Sequence, residues 1–197
     1  MKDFLKKNFS ILIRGIFLSL PSSLRDYMLF FLCKQMIKPY KKMIPSDSEG
    51  DKMNILVLNG ERFLQDLDAL NETNAIRFYL LPVSLQSLIN SIFLPTTQSF
   101  TIKYYLDKSQ EVEGLVTSLN RILESIRTKF SIDSVLTCAF YYRQDFPYQE
   151  SCKRIGLSYN VLFREYMKDE VISDKTAKRY LKNGFKFYGD NLFLANE

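Results

Sequence analysis

Residues 53–63 read Met-Asn-Ile-Leu-Val-Leu-Asn-Gly-Glu-Arg-Phe, and the fold turns on this stretch. The short apolar run Met53–Leu58 reads as a buried strand, and Asn59-Gly60 turns the chain at its end. Glu61–Leu70 follows with Phe63, Leu64, Leu67 and Leu70 at helical spacing. A strand, a turn and a helix in that order are the opening unit of an α/β domain.

The same alternation continues toward the C-terminus. Ile76–Leu81 is a second strand, closed by Pro82, and Ser84 is placed to cap a helix through Phe93. Ser99–Leu106 reads either as an extra strand or as an extended loop. Val112, Leu115, Val116, Leu119, Ile122, Leu123 and Ile126 form the clearest helical stripe in the chain. Glu111 and Glu113 stand early in it and Arg127 and Lys129 late, as the helix dipole favours. Ser134–Phe140 is the next strand, Pro147 starts a helix and Gly156 stops it. Tyr159–Phe163, a helix over Asp174–Asn183 closed by Gly184, and a last strand Asn191–Ala195 complete the series. This order predicts a Rossmann-like, doubly wound α/β domain over residues 47–197, with a mainly parallel sheet of about five strands and right-handed crossovers.

Toward the N-terminus the character changes. Residues 1–46 read as a basic, apolar helical arm that ends in the polar linker Pro45-Ser-Asp-Ser-Glu-Gly50. Phe9–Leu20 is too short to span a bilayer and is interrupted by Arg14. Pro21-Ser22-Ser23 breaks that run, and Ser22 or Ser23 is placed to cap a second helix through Lys38. Residues 1–42 hold nine Lys or Arg against two acids, a net +7, so the rest of a chain of net +5 sums to −2. The basic character therefore belongs to the arm, and the near-neutral domain argues against nucleic-acid binding. An arm of this composition suits an anionic membrane surface, on the cytoplasmic side of an inner membrane. It also suits packing on the domain or on a partner chain, though the density of Phe and Leu favours the membrane surface.

The composition narrows the chemistry. There is no His, which removes the commonest general base and metal ligand and leaves Asp, Glu, Lys, Tyr or Cys. Cys33, Cys138 and Cys152 are scattered without a CxxC pair, as expected of reduced, buried thiols in a cytoplasmic protein. The turn after Met53–Leu58 lacks the spaced glycines of a dinucleotide fingerprint, and no Walker-type Gly-Lys-Ser/Thr occurs. No metal site and no resident cofactor are expected.

Polar residues gather just past the predicted strand ends. Asn59, Gly60, Glu61 and Arg62 follow the first strand; Tyr141, Tyr142, Arg143, Gln144 and Asp145 follow the third. Arg164 and Glu165 follow the fourth, and Asn196 and Glu197 the last. In a parallel sheet these positions fall on one edge, where such folds bind ligands. Arg143 and Arg164 suit a phosphate or carboxylate, Tyr141 and Tyr142 suit stacking on a sugar or base, and Glu61, Asp145 or Glu165 could act as general base. Each has a plainer use: Glu61 and Arg62 as a solvated helix start, Asp145 as an N-cap, Arg164 and Glu165 as a surface ion pair.

Asn59-Gly60-Glu61-Arg62-Phe63 with Asp66, the loop Phe140–Asp145 and the strand end Val161–Glu165 resemble the N-terminal half of bacterial capsule-type, surface-polysaccharide biosynthesis proteins. Those resemble glycosyltransferases of the two-Rossmann, GT-B class. The resemblance implies an acceptor-side half domain that binds a sugar or lipid-linked sugar; the strand-end chemistry supplies Glu165 and Asp145 as its catalytic candidates and the other strand-end residues as substrate contacts. It implies metal-independent chemistry and a nucleotide-sugar donor bound by a second half domain. The chain reaches Glu197 where such a protein would cross into that half, so a truncated copy or a split enzyme with a partner chain is expected. The alternative is a non-catalytic interaction or scaffolding module at the membrane surface.

Overall fold

The computed structural model describes residues 15–40, 52–73, 75–93, 109–138, 145–163 and 189–194. Residues 15–19 are helical. The named elements are α1 (Ser22–Met36), β1 (Lys38–Pro39), β2 (Met53–Leu58), a 3-10 turn (Gly60–Arg62), α2 (Leu64–Asn71) and β3 (Ile76–Leu81). They continue as α3 (Val83–Phe93), α4 (Ser109–Phe130), β4 (Ser134–Thr137), α5 (Phe146–Arg154), β5 (Ser158–Phe163) and β6 (Asn191–Leu194).

The strands form one sheet in the order β1-β3-β2-β4-β5-β6. The pairs β2–β3, β2–β4, β4–β5 and β5–β6 are parallel, so the sheet is a five-strand parallel array with the short β1 added antiparallel at one edge. The α/β architecture is as expected from the alternation, and it is compatible with a Rossmann-like fold. The chain enters at β2, steps to β3 on one side, then returns to fill β4, β5 and β6 on the other. The order reverses between β2 and β4, which makes that pair the topological switch point.

Strand residues sort by parity, as a sheet covered on both faces requires. Leu56, Leu58, Val135, Tyr159 and Val161 point into a core shared with α1, α3, α4 and α5. Ile55, Val57, Phe78 and Leu136 point the other way, onto Phe63 and Leu67 at the start of α2. Helix α2 lies on the crossover that moves one way across the sheet, and α3, α4 and α5 on those that move the other way. A single hand of crossover puts the two sets on opposite faces.

Several boundaries differ from expectation for local reasons. Helix α1 begins after Pro21 rather than on a serine cap, and it ends at Met36. Lys38 and Pro39 leave the helix and pair with Leu80 and Tyr79 at the sheet edge, an edge strand that periodicity did not indicate. Proline is tolerated there because an edge strand need not donate from every position. The predicted helix Glu61–Leu70 is divided into the 3-10 turn and α2, with Phe63 between them at φ −142°. Ser84 is the second residue of α3 and not its cap. Strand β4 stops at Thr137, with a bend at Cys138. Gly156 ends α5 at φ +61°, the left-handed turn expected of it. The predictions for Ser99–Leu106 and Asp174–Asn183 lie outside the described residues.

Part of the arm belongs to the core. Leu29 and Cys33 of α1 and Ile37 beyond it are buried in the same cluster as α3 and α4. Asp26 is 5% exposed and takes an ion pair from Arg121 of α4, Nη1 to Oδ2, at 2.9 Å. Arg25 donates to Ser118 at 3.3 Å, and its guanidinium stands 4.6 Å from the centre of the Phe93 ring. These contacts fix one face of α1 against α3 and α4.

Candidate functional site

The C-terminal ends of β2 and β4 meet at the switch point, and the polar residues there are buried. Asn59 caps β2 in the left-handed conformation (φ 56°, ψ 25°) and is buried. Asparagine adopts this conformation more readily than other non-glycine residues, because its short amide can bond locally. Here the amide bonds across the sheet. Asn59 Nδ2 donates to Asp145 Oδ1 at 3.3 Å and, at the limit of hydrogen-bond distance, to Thr137 Oγ1 at 3.5 Å. One residue from each of two strand-end clusters, separated by 86 positions in the chain, is thus brought into contact.

Asp145 stands at the N-cap position of α5, where it was expected. Its backbone is already helical (φ −87°, ψ −29°), and its carboxylate makes no capping bond. The carboxylate turns toward Asn59 instead, and the residue is 2% exposed. That geometry links the start of α5 to the Asn59 turn at the ends of β2 and β4.

Two tyrosines deepen the polar cluster. Tyr148, in the first turn of α5, is fully buried, and among the described residues its hydroxyl has no hydrogen-bond partner. Burial raises its pKa well above the ordinary phenol value, and charge on Cys33, Asp145 and Cys152 would act in the same direction. Tyr159 of β5 is also fully buried. Desolvation raises its pKa strongly, the Asp145 carboxylate adds to the rise, and the Thr137 hydroxyl works against it. Both hydroxyls stay neutral at any physiological pH and can act as donors. Sequence reading missed Thr137, Tyr148 and Tyr159, because inside apolar strands and helices they look like ordinary core.

The other expected residues divide three ways. Gly60 is buried at the crevice but packs inward: a Cβ there would stand 2.9 Å from Leu80 Cδ2 and 3.1 Å from Val57 Cγ1. Its bare backbone serves close packing of the turn on β3. Glu61 is exposed on the 3-10 turn, and Arg62 follows it in the same turn. Tyr141, Tyr142, Arg143, Gln144, Arg164, Glu165, Asn196 and Glu197 lie outside the described residues. The described residues that flank them share one edge, since β4, β5 and β6 run parallel, with Phe163 paired to Leu194. Cys138 and Asp145, the described residues on either side of 139–144, lie just past β4 and just before α5.

A pocket of about 680 Å³ lies at the opposite edge, lined by Glu124, Arg127, Thr128, Ser131, Ile132 and Asp133. Asp133 there accepts from the Asn54 backbone at 2.7 Å, and Ser131 O accepts from the Asn54 side chain at 3.0 Å. These bonds tie the start of β2 to the segment before β4. Parallel α/β sheets bind ligands at the carboxyl ends of their strands, so the switch-point crevice is the stronger candidate.

Among the described residues no cluster of His, Cys, Asp and Glu could hold a metal ion. The cysteines are free thiols, with Cys33 and Cys152 buried. Burial raises the Cys33 pKa to about 12, and that of Cys152 further still, so neither is a nucleophile at neutral pH. The chain matches no family model, no curated protein and no solved structure.

Proposed function

We propose that this chain is the acceptor-side half of a glycosyltransferase-like assembly in bacterial surface-polysaccharide synthesis, with the β2/β4 crevice as its sugar-binding edge. The observation that carries the proposal is the Asn59–Asp145 contact at the switch point. It holds together the two strand-end segments on which the family resemblance rests. On this reading Tyr141, Tyr142, Arg143 and Gln144 supply the stacking and hydrogen-bonding groups for a sugar. Glu165, two residues past the end of β5, takes the general-base role toward an acceptor hydroxyl. The nucleotide-sugar donor belongs to a second half domain, so the chain alone binds an acceptor without turning it over.

The test is a titration of the isotope-labelled full chain, followed by amide NMR, with a short oligosaccharide and separately with a nucleoside-diphosphate sugar. The oligosaccharide is expected to shift the Asn59, Thr137 and Asp145 amides, and the nucleotide-sugar to leave them unchanged. Asp145→Asn, checked by circular dichroism for intact fold, should weaken saccharide binding about tenfold, as expected when a charge-assisted hydrogen bond is lost. A spectrum unmoved by any saccharide would sink the reading. It would favour the second one, a non-catalytic interaction or scaffolding module at the membrane surface, which draws its support from the outward face of α1.

A further inference from the structure

Helix α1 carries apolar residues on two opposite faces. Asp26, Leu29 and Cys33 face the domain and are buried. Leu24, Tyr27, Met28 and Phe31, at i, i+3, i+4 and i+7, form a stripe on the other side, with exposures of 45%, 64%, 37% and 49%. Lys34 continues that stripe by one turn, and Lys38 is exposed just beyond the helix. Ile16 and Leu18, ahead of Pro21, are exposed as well.

We infer that this outward face of α1 is a docking surface for an anionic lipid bilayer, on which the helix lies flat. The inner face already fixes the helix to α3 and α4, so the outer stripe contributes nothing to the core. The acid of α1, Asp26, sits on the inner face against Arg121, which leaves the outer face free of negative charge. Within residues 1–42, the sequence on either side adds Lys2, Lys6, Lys7 and Arg14 before the helix and Lys41 and Lys42 after it, with Asp3 as the sole flanking acid in that range. Apolar side chains that enter the acyl boundary, with lysines that reach back to phosphates, match a bilayer of negative surface potential. A protein partner fits less well, since lysine is depleted from the cores of protein interfaces, and here Lys34 lies in the stripe itself. At 15 residues the helix runs about 22 Å, enough to lie along a surface. No helix among the described residues is long and apolar enough to cross a membrane. This inference does not rest on sugar binding and stands or falls separately from it.

The experiment is flotation of the full chain with phosphatidylcholine vesicles, with and without a minor share of phosphatidylglycerol. The chain is expected to float with the anionic vesicles, less so at high salt, and weakly with neutral ones. The double variant Tyr27→Asp, Phe31→Asp alters exposed positions only and should lower vesicle affinity at least about tenfold. Lys34→Gln should lower it about fivefold on anionic vesicles and leave the neutral ones unchanged. Phe193→Asp, an exposed apolar position on β6, serves as a control and should float like the wild type. The proposal is overturned if the wild-type chain stays with the soluble fraction, or if the double variant floats equally well. It is also overturned if light scattering shows a dimer that the double variant dissociates, because that result assigns the face to a second copy of the chain.

Discussion

Helices α1 and α4 pack against each other, yet they meet solvent differently. Helix α4 buries a single stripe, Val112 through Ile126, and turns Glu113, Arg121, Glu124 and Thr128 outward. Its outward charges find partners: Arg154 of α5 bonds Glu113 at 2.6 Å and also pairs with Glu150. The bond from Arg154 holds the Glu113 carboxyl below its ordinary pKa. Helix α1 buries Leu29 and Cys33 but turns Leu24, Tyr27 and Phe31 outward. One amphipathic face is what a helix needs to belong to a domain. A second apolar face, at the same pitch and without charge opposition, points to a second apolar environment.

The comparison can be broken at the pairing of burial and charge. The largest expected effect concerns Cys33, which burial holds protonated up to about pH 12. The unfolded chain loses this proton near pH 9, so the contribution is fully present below that value and is lost as pH rises toward 12. Across that window stability should fall by roughly 1 kcal/mol per pH unit from this thiol alone. Cys152, Tyr148 and Tyr159 shift in the same direction and steepen the fall. Denaturant unfolding of wild type and Cys33→Ala over that range checks the claim; equal slopes would mean that α1 is not docked in solution.

A matched pair of truncations sharpens the contrast within α1. Leu29→Ala should cost about 2–5 kcal/mol in urea unfolding, as for other fully buried leucines. Leu24→Ala, on the outward face, should stay within about 0.5 kcal/mol. Similar costs for both would show that the two faces are equally engaged. A smaller effect than at Leu29 is expected from Arg121→Ala, which removes one partner of the buried Asp26. With Arg25 still 3.6 Å from that carboxylate and half of the Arg121 side chain in water, the cost should be about 1–3 kcal/mol. An unchanged midpoint would show that Asp26 does not depend on α4.

Much of the α/β order was legible because its signals are local. Met53–Leu58 and Ile76–Leu81 end where Asn59 and Pro82 stop them. The long stripe of α4 shows a period that only a helix produces. Edge strand β1 was not legible, since two residues carry no period and their partners lie about 40 positions away. The site was half legible. Asn59 and Asp145 were marked by position past strand ends, but Asp145 looked like a helix cap, and only the fold turns its carboxylate toward Asn59. Thr137, Tyr148 and Tyr159 carried no sequence signal, because a polar atom inside an apolar element is distinguished only by its neighbours.

The sequence alone determined the alternation of strands and helices, the concentration of basic charge in residues 1–42 and the lack of histidine chemistry. These depend on composition and on periods of two and 3.6 residues, which need no knowledge of distant partners. The tertiary structure decided which strands are neighbours and where their order reverses. It also decided which face of α1 is spent on the core and which faces outward. Those outcomes depend on contacts between residues far apart in the chain, and close packing selects among them only once the whole sheet and its covering helices are assembled.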